Sequence, residues 1–297
     1  MVLMGAIDAF GKTIDFIAKN PKILVIPLIF AFLIAPINAY ILKDVPLMMP
    51  QELQTFEKEG SVIIEEHGMT MDMEGMMDLI RKASISALIE LVLMSIALYA
   101  LAKGAFLVVN GSEFTLSALL TEGTKKMPAV VLIRIVMNLF GALLALVFLS
   151  PGIILIGAGV LGTPALIGLG ALVIVVLSIP VLGYIFTIIS TAVPAYVVGE
   201  DISSAFSVIG LAWKKKLSSI GFGLLLALAI VLISIIPASF GGIAFLGSSG
   251  FAPQLVLQLL SAPFQALSIA LQAIGGFMFY SELTKVEEPL EEFDLEF

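Results

Sequence analysis

Residues 127 to 198 read MPAVVLIRIVMNLFGALLALVFLSPGIILIGAGVLGTPALIGLGALVIVVLSIPVLGYIFTIISTAVPAYVV and contain a single charge, Arg134. A membrane helix needs roughly 20 apolar residues, so this stretch has room for two helices or three. The charges on either side settle the number. Lys125 and Lys126 precede it, and Lys214, Lys215 and Lys216 follow it. Short Lys-rich flanks stay on the cytoplasmic side of a membrane. Two helices keep both clusters on that side, whereas three would send the triple lysine across.

Working outward, the same reasoning organises the rest of the chain. Further apolar blocks run from Ile23 to Leu42, from about Ser84 to Val109, from Ser218 to Ile236 and from Leu255 to Ser281. With Pro128–Leu149 and Leu166–Val198 they make six spans. Lys12, Lys19 and Lys22 precede the first, Lys103 lies near the end of the second, and Lys285 follows the last. Six spans put every cluster on one side, with both termini cytoplasmic. The acidic lead (Asp8, Asp15) and the prolines inside the first block argue for a retained helix rather than a cleaved signal peptide.

Composition agrees. Of 297 residues, 60% are hydrophobic and 13% charged, against about half and a quarter in soluble domains. This excludes a soluble enzyme, a nucleic-acid binder and a disordered chain. The net charge of −8 divides unevenly. Residues 43–82 carry nine acids and four bases, and the tail 282–297 seven acids and one base. The remaining body is mildly basic. The domain reading is therefore a six-span membrane domain, 1–281, with an acidic outer loop at 43–82 and an acidic cytoplasmic tail. The other outer connections are uncharged Gly/Pro turns near 150–164 and 237–253. Cysteine is absent, which removes disulfides, thiolate metal sites and thiol nucleophiles.

A weak threefold repeat emerges. Each pair of spans is preceded by an amphipathic stretch ending in lysine. Ile7, Phe10, Ile14 and Ile17 share a face in the first; Leu116, Leu119, Leu120 and Met127 in the second; Ile202, Ala205, Phe206, Ile209 and Trp213 in the third. Such a helix lies in the membrane interface with its lysines toward headgroups, and Trp213, the only tryptophan, suits that level. The expected fold is all-α: six transmembrane helices in three hairpins, each preceded by an interfacial helix. Phe10, Phe206, Trp213, Lys214, Lys215 and Lys216 form the elbows. They serve either to orient each hairpin or as a lipid-sensing surface.

The segment AVPAYVVGEDISSAFSVIGLAWKKKLSSIGF (192–222) has a Pro-bearing helix end, a Gly-plus-acid turn, an Ala-aromatic amphipathic helix and a Trp before the next span. The ending SAPFQALSIALQAIGGFMFYSELTKVEEPLEEFDLEF (261–297) adds Pro263, then Tyr280, Glu282 and Leu283, then Phe293-Asp294-Leu295-Glu296. Both resemble the membrane domain found attached to bacterial glycerophosphoryl diester phosphodiesterases, and the related stand-alone archaeal and bacterial membrane proteins. The resemblance covers the six-helix body and not the acidic loop. It implies a fold. The sequence holds no counterpart of the catalytic barrel that sometimes accompanies this module, and the family has no defined activity to carry over.

Few residues break the apolar rule. On the last span Gln254, Gln258, Ser261, Gln265, Ser268, Gln272 and Gly275 alternate by four and three, and Glu282 extends the line. One polar stripe follows. Amides facing lipid are expensive, so the stripe either bonds between helices or walls a polar path. Glu90 and Arg134 are the intramembrane charges, at opposite depths and so not expected to pair. An intramembrane carboxylate suggests a proton or cation site; local hydration explains Glu90 equally. Asn38 and Asn138 read as packing or capping groups. Prolines 27, 36, 180, 194 and 263 interrupt spans, which is common in inert helices and in transporters alike.

Two motifs carry less. Gly157-x-Gly159-x-x-Gly162 lacks the strand, helix and acid of a dinucleotide site, so small-residue packing or a bend explains it. In the outer loop, His67, Met69, Met71 and Met73 offer soft ligands of the kind that suit Cu(I), or else an apolar patch of adaptable methionines. No other metal or cofactor is expected. The functional reading is a non-enzymatic membrane protein that organises lipid or anchors a partner complex. The alternative is a permeation pathway for a small or lipid-like solute along the last-helix stripe. Partners are the lipid bilayer and a membrane protein or second copy, and no nucleic acid.

Overall fold

The structure, a computed structural model, describes residues 4–41, 43, 73–244 and 250–285. Among these residues all regular structure is helical. In chain order the helices are α1 (Met4–Lys19), α2 (Val25–Ile41), α3 (Met73–Val109), α4 (Leu116–Leu161), α5 (Ala165–Gly199), α6 (Ile202–Lys214), α7 (Lys216–Ala244) and α8 (Phe251–Thr284), with one 3₁₀ turn at Pro21–Leu24. Six of them are long and apolar enough to cross a membrane: Pro21–Ile41, Ile80–Val109, Leu116–Leu161, Ala165–Gly199, Lys216–Pro237 and Phe251–Thr284. This is the pattern of a multi-pass membrane protein.

The chain divides into two compact units. The first comprises the described parts of Met1–Ala18, Ile133–Ala227 and Gln272–Phe297; the second comprises those of Lys19–Leu132 and Leu228–Leu271.

In the first unit, of the α1 face Ile7, Phe10, Ile14 and Ile17, Ile7 and Ile14 are exposed, Phe10 is half-buried and Ile17 is buried. Ala6, Ala9, Thr13, Phe16 and Ile17 are buried, while Asp8, Lys12 and Asp15 are exposed. The core gathers Tyr184, Ile188 and Ala195 of α5 with Val208 and Ala212 of α6. Two glycine contacts bring backbones together. A Cβ at Gly223 would strike the Gly183 carbonyl, and one at Gly276 the Ser190 carbonyl. Helix α5 ends at Glu200, whose left-handed φ of 55° lets its N–H donate to Tyr196 O at 2.9 Å. Asp201 then opens α6 in an extended conformation.

In the second unit, α2 meets α8 through small residues, with Ala31 against Ala262 and Ala266. The Gly250 N–H donates to Lys43 O at 2.9 Å, so the two helices run antiparallel. Gly104 faces Ile23 and Leu119, and Gly123 faces the Ile96 carbonyl.

Several boundaries differ from expectation. The second elbow is not a separate interfacial helix: Leu116–Leu161 is one continuous α4, passing through Pro128 and Pro151. Leu119, Gly123 and Val130 of this helix are buried in the second unit and Ile133 and Met137 in the first, and the helix continues past the missing Pro128 N–H. The turn expected over 150–164 shrinks to 162–164, and α7 continues past Pro237 to Ala244. At 1.5 Å per residue, α4 is about 69 Å long, against about 30 Å of hydrocarbon in a bilayer. Of the acidic loop expected over 43–82, residues 44–72 lie outside the described residues while 73–82 belong to α3, and of the acidic tail only 282–285 are described.

Candidate functional site

In the second unit the polar residues of α2 and α3 form a chain. Ser86 Oγ donates to Asn38 Oδ1 at 2.6 Å, and Asn38 Nδ2 donates to Glu90 Oε1 at 2.6 Å. Asn38 and Ser86 are buried, at 5% and 8% exposure, and Glu90 is half-buried. Helix periodicity explains the pair on α3: residues four apart share a face. The geometry does one thing clearly. An amide fixed by a serine hydroxyl presents its N–H to the Glu90 carboxyl group.

Spacing alone assigned Asn38 to packing. The available signal was depth, because Asn38 near the end of its span and Glu90 near the start of the next lie level. Arg134 is half-buried on α4 in the first unit. A second cluster also escaped sequence reading. Buried Tyr99 donates from its hydroxyl to Glu122 Oε1 at 2.6 Å, and Lys103 Nζ lies 3.6 Å from the same oxygen. Lys103 thus has an acid to meet near the end of its span.

The α8 stripe resolves residue by residue. In the second unit Gln254 is buried at 3% exposure. Ser261 and Ser268 donate to carbonyls of their own helix, Leu257 O at 2.8 Å and Phe264 O at 3.0 Å. Gln258 and Gln265 are half-buried, and among the described residues neither makes a side-chain hydrogen bond. Beside them Ala262 and Ala266 pack against Ala31 of α2. No buried side-chain N or O among the described residues lacks a partner, so these two amides reach accessible space. In the first unit Gln272 is half-buried, and Gly275 packs near Phe222 and Thr13.

The first unit also holds a clasp. Glu282 Oε1 accepts from Lys12 Nζ and from Lys285 Nζ, each at 2.7 Å. Lys215 Nζ donates to the carbonyls of Glu282 at 3.1 Å and Lys285 at 3.3 Å. A lysine at the exposed carbonyls of a helix C-terminus is favourable for both charge and hydrogen bonding. The Glu282 carboxylate holds the Lys12 ammonium above its ordinary pKa; desolvation pulls it down by less, and Asp8 adds to the rise.

The elbow residues separate into inward and outward groups. Phe10 and Phe206 are half-buried, and Trp213 is 60% exposed. The Trp213 ring meets Tyr184 edge-on at 6.0 Å, and the Tyr184 hydroxyl donates to Ile209 O at 2.8 Å. Lys214 and Lys216 are exposed, while Lys215 turns to α8. The buried face of α6 is Ala205, Val208 and Ala212, so small residues and not the aromatics seat this helix.

His67, Met69 and Met71 of the soft-metal reading lie outside the described residues, and Met73 is the first residue of α3. Among the described residues no group of three or more His, Cys, Asp or Glu stands close enough to hold a metal. Of the glycine motif, Gly159 packs on Ile167 while Gly157 and Gly162 face open space. No family model, no curated protein and no solved structure matches this chain.

Proposed function

We propose that this chain is a non-enzymatic, multi-pass protein of the cytoplasmic membrane that organises the surrounding lipid or anchors a membrane partner or a second copy. Both termini are cytoplasmic in this reading, the spans form three hairpins, and the kinship with the phosphodiesterase-associated membrane family belongs to it. One observation carries it. The outward residues of α4 and α5 are large and apolar over many turns, with Leu139, Leu143, Leu146 and Val147 on one helix and Leu172, Val175, Val176 and Ile179 on the other all exposed. Such a surface is solvated by acyl chains and not by water.

The test is reconstitution into bilayers carrying a spin-labelled phospholipid. A motionally restricted lipid fraction that grows with protein content is expected. Its absence, or a protein that stays monodisperse without detergent, overturns the reading.

A second reading, permeation of a small solute along α8, is favoured by Gln258 and Gln265, whose amides have no side-chain partner among the described residues. Glu90, oriented by Asn38, would then be the coupling group. Solute flux into proteoliposomes that falls on Gln265→Leu supports it. Flux indifferent to that change counts against it.

A further inference from the structure

The three consecutive lysines at the α6–α7 bend are not equivalent. Lys215 is spent on structure, donating to the carbonyls that end α8. The bend around it is fixed: Lys215 N–H donates to Leu211 O at 3.3 Å, Ser219 N–H to Lys215 O at 2.9 Å, and Ser219 Oγ to Ala212 O at 3.0 Å. Thr187 Oγ1 donates to Ser219 O at 2.5 Å and ties the bend to α5. On this rigid base Lys214 and Lys216 are exposed. Among the described residues neither has a carboxylate partner. The Lys216 ammonium lies 5.7 Å from the centre of the Trp213 ring. Trp213 is 60% exposed, and Leu217 beside it 59%.

This patch has two incompatible demands for a single small ligand. The two ammonium groups call for an anion, while the indole and Leu217 call for an apolar body. A free inorganic anion meets the first and leaves the second in water. An amphipathic anion meets both, with its charge at the lysines and its chains beside the indole, which is the placement interfacial Trp and Lys favour. We infer that Trp213, Lys214 and Lys216 form a headgroup subsite for an anionic phospholipid, whose phosphate lies at the two lysines and whose acyl chains run past Trp213 and Leu217. This deepens the lipid-organising reading and rests on it, by naming the lipid class and the place.

Trp213 is the only tryptophan in the chain, so tryptophan emission, excited at the red edge where the five tyrosines do not absorb, reports this subsite alone. The full chain is reconstituted in phosphatidylcholine bilayers containing phosphatidylglycerol, with bromine on the acyl chains of one lipid at a time. Brominated phosphatidylglycerol is expected to quench Trp213 well beyond its share of the bilayer, and brominated phosphatidylcholine less. Each basic residue near an anionic membrane surface contributes about 1 kcal/mol, so removing both lysines should cut the preference about tenfold to thirtyfold. Lys214→Gln with Lys216→Gln is the test pair, and Lys125→Gln, at another exposed lysine, should leave the preference intact. High salt should weaken it.

Equal quenching by the two lipids overturns the inference, as does a preference that survives in the double variant. The spin-label measurement keeps the two readings apart. Restricted lipid without headgroup preference at Trp213 sinks the subsite alone; absence of restricted lipid sinks the lipid-organising reading as well. Elution of the double variant as the parent does on size exclusion confirms that these exposed substitutions leave the fold intact.

Discussion

Asn38 Nδ2 stands 2.6 Å from Glu90 Oε1, and the same amide accepts from Ser86 on its other side. One buried side chain therefore satisfies two groups on the neighbouring helix. Asn38→Leu strands both at once, and a buried polar group left unmet costs about 1–3 kcal/mol. Glu90→Gln keeps an oxygen to accept the amide proton and should cost less. Thermal unfolding in detergent should rank the variants with Asn38→Leu clearly the less stable. Equal midpoints would mean that the chain is not a structural tie.

At the clasp, the sign of the pH dependence follows from the raised pKa of Lys12. A group whose pKa is raised on folding contributes its stability fully below the unfolded value, here 10.5. That contribution is lost as pH rises through the higher folded value. Lys12 is about half exposed, so the pair is screened and contributes about 1 kcal/mol or less. The difference in unfolding midpoint between the parent and Lys12→Gln should persist through neutral pH and close above pH 10.5. A difference that grows with alkalinity would reverse the assignment.

Six long apolar helices were legible because hydropathy and lysine placement act over twenty residues at a time, but the starts of α3 and α4, at Met73 and Leu116, lie well before the expected Ser84 and Pro128. What was not legible was local and depended on contacts. The second elbow looked separate because its amphipathic stretch ends in lysines before the span, but α4 runs unbroken from Leu116 through Pro128. Of the three lysines before α7, the sequence offered no way to see that Lys215 alone reaches the end of α8. Asn38 reads as a packing or capping group because its partners, Ser86 and Glu90, sit some fifty residues away in sequence. The α8 stripe was visible as a stripe. That alanines at 262 and 266 pack against Ala31 of α2, with Gln258 and Gln265 beside them, required the fold.

Close backbone approach gives a sharper contrast than any side-chain contact. Gly223→Ala puts a methyl group against the Gly183 carbonyl, and Gly276→Ala puts one against the Ser190 carbonyl. Neither obstacle can swing aside as a flexible side chain would. Overpacking of this kind typically costs about 1–3 kcal/mol. Gly168→Ala, where nothing lies within 4 Å, should be neutral or slightly stabilising, through the lower entropy of the unfolded chain. Melting curves of the three single variants check this, and a destabilised Gly168→Ala beside an unaffected Gly223→Ala would contradict the packing.

The amides of α8 permit a separation of structure from function within one stripe. Gln254 is buried, and its amide is satisfied, as every buried side-chain N and O among the described residues is. Gln254→Leu leaves a partner unmet and should lower stability by about 1–3 kcal/mol. Gln258→Leu and Gln265→Leu remove no side-chain hydrogen bond among the described residues, so their midpoints should stay within about 0.5 kcal/mol of the parent. If these two amides serve as helix-to-helix ties, their variants will instead unfold as early as Gln254→Leu. If stability holds while flux into proteoliposomes falls, the stripe carries solute. If both hold, the amides are tolerated at an open groove and the lipid-organising reading stands by itself.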